Sequence, residues 1–281
     1  MLKQRVITAL ILLALMLPAL FAPMAWPFAL LMLLMAGAAA WEWARLNSAS
    51  STLAVGMGVA MAVACGLAFA AGWVRVGPSI AWWVAFGVWV LGGALALKVG
   101  PGSWHTLPRV ARWLLGLAAI WTAWLALSSA KATGINFILS IFCLVWVADI
   151  AAYFGGKAFG RRKLALAISP GKSWEGVWSG MVGVQLLALA WIQADRYWNL
   201  PQLDSASLFI VLLERFGVPG LMLVLVFLSA MSVVGDLVES LVKRSAGAKD
   251  SSGLLPGHGG VLDRVDALLP VFPIAMALST L

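Results

Sequence analysis

The sequence predicts an all-α, polytopic integral membrane protein with about nine transmembrane helices and a cytoplasmic N-terminus. Three observations carry that expectation. First, 63% of the 281 residues are hydrophobic, well above the apolar share of about 45–50% in soluble domains. Second, apolar runs of spanning length, about 17–25 residues, recur from end to end. Third, the basic residues segregate. With the N-terminus in the cytoplasm, 15 of the 19 Lys and Arg fall on the cytoplasmic side, as the positive-inside rule requires.

The predicted spans are 6–22, 26–44, 52–72, 80–98, 110–129, 135–154, 175–194, 218–240 and 265–281. Lys3 and Arg5 ahead of the first run resemble a signal peptide, with Ala22-Pro23-Met24-Ala25 as a cleavage region. The second run begins directly after Pro23 and Pro27, however, so a tight helical hairpin is expected instead. Cys65 and Cys143 fall inside the third and sixth spans, where they act as small hydrophobes, and two cysteines give no metal-site spacing. Ser169 or Ser173 suits the cap of the seventh helix, with Glu175 in its first turn at the positive dipole end. The 206–213 run is too short to span and reads as an interfacial segment. Trp41, Trp43, Trp82, Trp83 and Trp198 fit interfacial belts and helix packing. Residues 1–134 form about five membrane helices, and residues 135–281 carry the chemistry. The net charge of +8 is mostly cytoplasmic charge facing anionic lipid and implies no nucleic acid.

Three polar clusters fall on the basic side. The first, at the end of the sixth span, places Asp149, Tyr153 and Lys157 at i, i+4, i+8 on one helical face. An acid a turn inside a span faces protein or a water-filled cavity. The second is Ser169-Pro170-Gly171-Lys172-Ser173-Trp174-Glu175-Gly176. Lys172 opposes the helix dipole unless an anion sits there, which both would attract. GKS resembles the end of a nucleotide-binding P-loop, but its first glycine position holds Leu166, so that reading is rejected.

The third cluster is the densest. Asp236, Glu239, Ser240, Lys243 and Arg244 read as a single polar stripe on the eighth span. Lys249 and Asp250 follow, then the turn Pro256-Gly257-His258-Gly259-Gly260, then Asp263, Arg264 and Asp266. Four cations suit phosphates, and Gly259 and Gly260 let backbone approach a ligand closely. Carboxylates from two helices suit Mg²⁺, which takes one or two protein acids plus phosphate oxygens. A salt-bridged helix pair is the bland alternative, and so many acids and bases around one glycine turn argue against it. His258 reads as a site residue that orients a phosphate or holds the loop, and not as a base. His105 has no evident role.

The residues also resemble a known family. Ser240-x-Val242-Lys243-Arg244, then four residues, Lys249-Asp250, then Leu255-Pro256-x-His258-Gly259-Gly260-x-x-Asp263-Arg264-x-Asp266 is similar to the signature of phosphatidate cytidylyltransferases, the CDP-diacylglycerol synthases. Asp149-x-x-Ala152-Tyr153-x-x-Gly156-Lys157, Ser169-Pro170-x-Lys172-Ser173-x-Glu175-Gly176 and Gly235-Asp236-Leu237 resemble the family's other polar blocks. The resemblance is strong over 145–281.

It implies CTP + phosphatidate → CDP-diacylglycerol + pyrophosphate, with Mg²⁺ as cofactor, in a homodimer of a bacterial inner (plasma) membrane with its site facing the cytoplasm. Asp236 and Asp263 are the expected metal ligands, with Asp266, Glu239 and Asp149 behind them. Lys172, Lys243, Arg244, Lys249 and Arg264 are expected on CTP or lipid phosphates. Asp250 would orient Lys249 or serve a second metal ion. Ser169, Ser173, Glu175, Ser240, Tyr153, Lys157, His258, Gly259 and Gly260 complete the expected substrate site. A transporter would bind near the bilayer midplane, whereas these charges sit at helix ends. A kinase or cytidylyltransferase for another lipid is the remaining rival.

Overall fold

The computed structural model describes residues 2–75 and 79–281, without the side chains of Leu2, Lys3, Arg5 and Leu203. Lys3 and Arg5, on which the placement of the N-terminus partly rests, thus lie outside the described side chains. The chain runs α1 (Leu2–Phe21), α2 (Trp26–Leu46), α3 (Ser51–Ala70), α4 (Ser79–Gly87), a π-helical turn (Val88–Gly92) and α5 (Gly93–Val99). A 3₁₀ turn (Pro101–Thr106), α6 (Arg109–Thr133) and α7 (Ile135–Phe159) come next. Strands β1 (Lys163–Ala165) and β2 (Ser169–Ser173) precede α8 (Trp174–Trp198), α9 (Leu200–Leu203), α10 (Leu208–Ser245), α11 (Leu262–Val265) and α12 (Leu268–Ser279).

Seven helical segments among the described residues are long and apolar enough to cross a membrane, with Ser79–Val99 continuous through its π turn. All nine predicted segments are helical at their expected places, but the first and last are short. The apolar part of α1 is Val6–Phe21. The 12 residues of α12 rise about 18 Å, less than a hydrocarbon core of about 30 Å.

The 206–213 run departs from its expected interfacial role. It opens the 38-residue α10, and Leu208, Phe209, Ile210 and Leu212 are buried. Ser207 Oγ caps it by accepting from Ile210 N at 3.2 Å, and Leu208 N donates to Ser140 Oγ at 2.9 Å. The expected break between two segments takes the form of a kink. Gly217, with φ +64° and ψ −177°, leaves the helical region just ahead of Pro219, so two helical segments of α10 meet there at an angle.

Packing aligns the polar helix ends. α7 lies against α8, α2 against α3 and α6, and α10 against α8 and α12. Glycines set the closest approach: a Cβ on Gly180 of α8 would come 2.7 Å from the Ala148 carbonyl oxygen of α7, the small-residue contact that membrane helices use. Gly180→Val is therefore expected to cost about 1–3 kcal/mol by overpacking. Its melting temperature in detergent checks this, and an unchanged value would mean the helices do not approach so closely.

At the far ends of α7, α8 and α10, fully buried Asp195 accepts from Asn136 Nδ2 at 2.9 Å and from Ser207 Oγ at 2.5 Å. That network joins three helices opposite the end where the three charged clusters meet. Trp82, Trp124, Phe28, Phe209 and Phe272 fill the apolar core between the two ends.

Candidate active site

The polar residues between α7 and α8 fold into an antiparallel hairpin of β1 and β2, pairing Lys163 with Ser173 and Ala165 with Ser169. No strand was expected here, because the segment has no alternating apolar pattern. Its second strand leads straight into α8, whose N-cap is Ser173, accepting from Gly176 N at 3.3 Å. Glu175 in the first turn accepts from the Arg161 and Arg162 backbone N–H groups at 3.0 and 3.2 Å. Its carboxylate thus pins the hairpin.

The hairpin lifts Lys172 over α10. Its ammonium lies 2.5 Å from Asp236 Oδ2, while Ser240 Oγ donates to Asp236 Oδ1 at 3.2 Å. This pair faces a cavity of about 490 Å³ that Asp149, Tyr153, Lys157 and Ser169 also line. One face of α7, the hairpin and one face of α10 therefore bring the first two clusters and the start of the third to a single place.

The rest of the third cluster turns another way. The expected single stripe on α10 splits into two columns. Asp236 and Ser240 look toward the cavity. Glu239 is 2% exposed and ion-paired with Lys243, whose ammonium also donates to Asp263 Oδ1 at 2.5 Å. Lys243, expected on a phosphate, is thus held between two carboxylates.

Asp263 Oδ2 accepts from Ser251 N (2.9 Å), Ser251 Oγ (2.9 Å) and Gly260 N (2.8 Å). Burial works to raise the Asp263 pKa. The Lys243 hydrogen bond and the Gly260 and Ser251 N–H groups outweigh it and hold the carboxyl down at about 2, so it remains ionised at neutral pH.

The glycine turn also faces inward. Gly259 has φ +83°, and a Cβ there would lie 2.7 Å from Asp263 Oδ2; both features exclude a side chain. Gly259 and Gly260 bring backbone close to protein carboxylates, where the sequence suggested a ligand. His258 donates its backbone N–H to Leu255 O at 2.8 Å, and its own carbonyl accepts from Arg264 Nη2 at 2.7 Å. Arg244 is exposed; it donates to Ile168 O at 3.3 Å and Ala248 O at 3.2 Å, tying α10 to the hairpin. Lys249 and Asp250 are exposed on the adjoining loop. Asp266 is the C-cap of α11, and its Oδ1 accepts from Ala267 N at 2.8 Å.

Sequence reasoning missed the residue that holds this turn. Glu42 of α2 is fully buried. Its Oε1 accepts from Ser252 Oγ (2.5 Å) and Val261 N (2.9 Å), and its Oε2 from Ser251 Oγ (3.0 Å) and Leu262 N (2.7 Å). The signal was a lone acid in the apolar run AGAAAWEWARL of a predicted span, the kind of residue that marks function inside a membrane.

His105 was passed over too. An arginine only donates, so His105 Nδ1 accepts from Arg112 Nη1 at 3.1 Å and its Nε2–H donates to Ser245 O at 2.6 Å. That fixes the end of α10 to the start of α6.

The acids offer a hard, all-oxygen donor set of the kind Mg²⁺ takes. Among the described residues, no three Asp, Glu, His or Cys gather into a complete ligand sphere. A bound ion would rest on one or two carboxylates and substrate oxygens, as Mg²⁺ does. Asp149 and Asp236 fit that description because both open onto the cavity. Asp263 can contribute only through Oδ1, now facing Lys243. Glu239 is enclosed beside Lys243.

The chain is similar to known proteins along nearly its whole length. The sequence model of the Cytidylyltransferase family matches residues 3–281. A phosphatidate cytidylyltransferase of Pseudomonas aeruginosa is 40% identical over 99% of this chain and 97% of its own length. One from Haemophilus influenzae is 45% identical over 50% of this chain and 44% of its own. A chloroplastic phosphatidate cytidylyltransferase of Arabidopsis thaliana is 38% identical over 66% of this chain and 38% of its own length.

Proposed function

The chain belongs to the Cytidylyltransferase family, and from that premise we propose that the cavity between α7, the hairpin and α10 is where it performs phosphatidate cytidylyl transfer. The reaction is CTP + phosphatidate → CDP-diacylglycerol + pyrophosphate. The observation that carries this assignment is the Lys172–Asp236 pair beside Asp149, on a cavity at the helix ends where the polar clusters meet.

A phosphatidate phosphate oxygen forms a bond to the α-phosphorus of CTP. The bond from that phosphorus to the α,β-bridging oxygen breaks, and pyrophosphate leaves with the electron pair. The nucleophile is already anionic, so no strong general base is required, and none is assigned. Positioning and charge neutralisation then supply the rate, as in other phosphoryl transfers.

Lys172 reaches into the cavity from the hairpin and Lys157 from α7, and both would take phosphate oxygens. Asp236 fixes the Lys172 ammonium and Ser240 orients Asp236. Tyr153, 64% exposed, offers an aromatic surface at the mouth. Behind this layer, Lys243, Asp263, Ser251 and Glu42 hold the glycine turn, and hence Asp266, at a fixed distance from Asp236. Glu42 is a positioning residue in this reading.

Bound Mg²⁺ would neutralise phosphate charge as a Lewis acid, held by Asp149 and Asp236 with Asp266 and Asp263 Oδ1 at hand. On this reading, the polar helix ends face the cytoplasm of a bacterial inner membrane, where CTP is available, and the working unit is a homodimer. EDTA is expected to abolish CDP-lipid formation and added Mg²⁺ to restore it. Full turnover in EDTA would remove the metal from the mechanism.

A further inference from the structure

At the opposite ends of the helices from the active site lies a second cavity, of about 950 Å³, within the size range of small-molecule sites. It lies about 24 Å from Glu42 along α2, at 1.5 Å per residue from Trp26. Its walls combine apolar surface from Trp26, Phe69 and Trp82 with two cations, Arg75 and Lys131, and no acid is among the described residues that line it.

Lys131 is 6% exposed. Its ammonium donates to Ala22 O at 3.1 Å, leaving donors unspent, since a lysine carries three. It has no ion pair among the described residues. Asp204, the acid nearby, takes Asn136 N at 2.7 Å and Ser205 Oγ at 3.0 Å on its Oδ2 and lies beyond ion-pair distance of Lys131. A buried ammonium with no carboxylate in direct contact favours an anion beside it. Ser129 lines the same cavity, is 5% exposed, and its hydroxyl has no partner among the described residues.

Basic residues are few on this side of the molecule. Of the four basic residues the sequence assigns there, Arg75 from the turn after α3 and Lys131 from α6 converge on one cavity. Lys131 lies two residues from the end of α6.

We propose that this cavity binds a phosphate-bearing anion, and that the anion is the headgroup of a membrane phospholipid with its chains along the apolar wall. Basic pockets between membrane helices recognise headgroups in this way. The site is separate from the catalytic cavity, so the lipid held here is not the reacting phosphatidate.

Native mass spectrometry of the full chain in detergent tests it, titrating dioleoyl phosphatidylglycerol, dioleoyl phosphatidylcholine and inorganic phosphate in turn. Phosphatidylglycerol is expected to bind in preference to phosphatidylcholine. Arg75→Gln and Lys131→Gln are each expected to weaken that binding about tenfold, the loss of one charge-assisted contact. Asp236→Asn is expected to leave it unchanged. Arg75 is exposed, so its variant keeps the test valid should Lys131→Gln fail to fold. Equal phosphatidylglycerol affinity in wild type and both variants would overturn the site. Displacement of the lipid by inorganic phosphate alone would overturn the lipid assignment and give the cavity to free phosphate.

Discussion

Glu42→Ala is expected to lose at least about a hundredfold in turnover, the scale of a misplaced catalytic constellation, although Glu42 does not face the catalytic cavity. The variant strips the acceptor from Val261 N, Leu262 N and the Ser252 hydroxyl at once, while the Ser251 hydroxyl keeps Asp263 Oδ2. Each buried donor left without a partner costs about 1–3 kcal/mol, so the loop relaxes instead of keeping its shape.

Asp263 and Asp266 lie immediately beyond that loop, and Asp263 carries Lys243 with it. Glu42→Gln separates positioning from general instability. It keeps the volume but turns an amide NH₂ toward backbone N–H groups. Its melting temperature is expected to fall less than that of Glu42→Ala, while turnover stays low. CDP-lipid formation and thermal unfolding in detergent check both variants. Wild-type turnover in Glu42→Ala would show that the turn holds itself.

Asp236→Asn is expected to lower turnover by about 10²–10³ or more, the scale of removing one preorganised electrostatic group, with little change in melting temperature. The asymmetry follows from exposure. The Asp236 and Lys172 side chains are 31% and 26% exposed, and a pair so open to water is worth at most about 1 kcal/mol to stability. Lys172 without its carboxylate loses its fixed place over the cavity, and a bound ion loses one of two available acids. Lys172→Met is expected to raise KM for CTP as well as lower turnover, since it removes a phosphate contact. Near-wild-type turnover in Asp236→Asn would displace the chemistry from this cavity.

Much of this was legible from residue order. Hydropathy located the seven helical segments long enough to span because each is a long apolar run, and the 149, 153, 157 spacing placed three residues on one face that the structure finds lining one cavity. The α10 stripe was less legible. A period of 3.6 groups 236, 239, 240, 243 and 244 on one side of a helix, but neighbouring elements divide that side, and α11 captures Glu239 and Lys243 through Asp263.

The hairpin was hidden because its strands are short and polar, stabilised by Glu175 and Arg244 and by no apolar alternation. Glu42 was hidden for a different reason. Its partners lie more than 200 residues away, and nothing local distinguishes an acid that caps a distant turn from one that pairs with a neighbouring lysine. The N-terminal half, legible only as generic membrane helices, thereby contributes a residue to the site's framework.

The most direct measurement follows label from α-labelled CTP into lipid, using purified protein, dioleoyl phosphatidate and Mg²⁺, with Asp236→Asn alongside wild type. Wild type is expected to form labelled CDP-diacylglycerol and release pyrophosphate, and Asp236→Asn to melt like wild type while transferring almost no label. Label transfer at the wild-type rate by a folded Asp236→Asn protein would contradict the placement of catalysis between α7, the hairpin and α10.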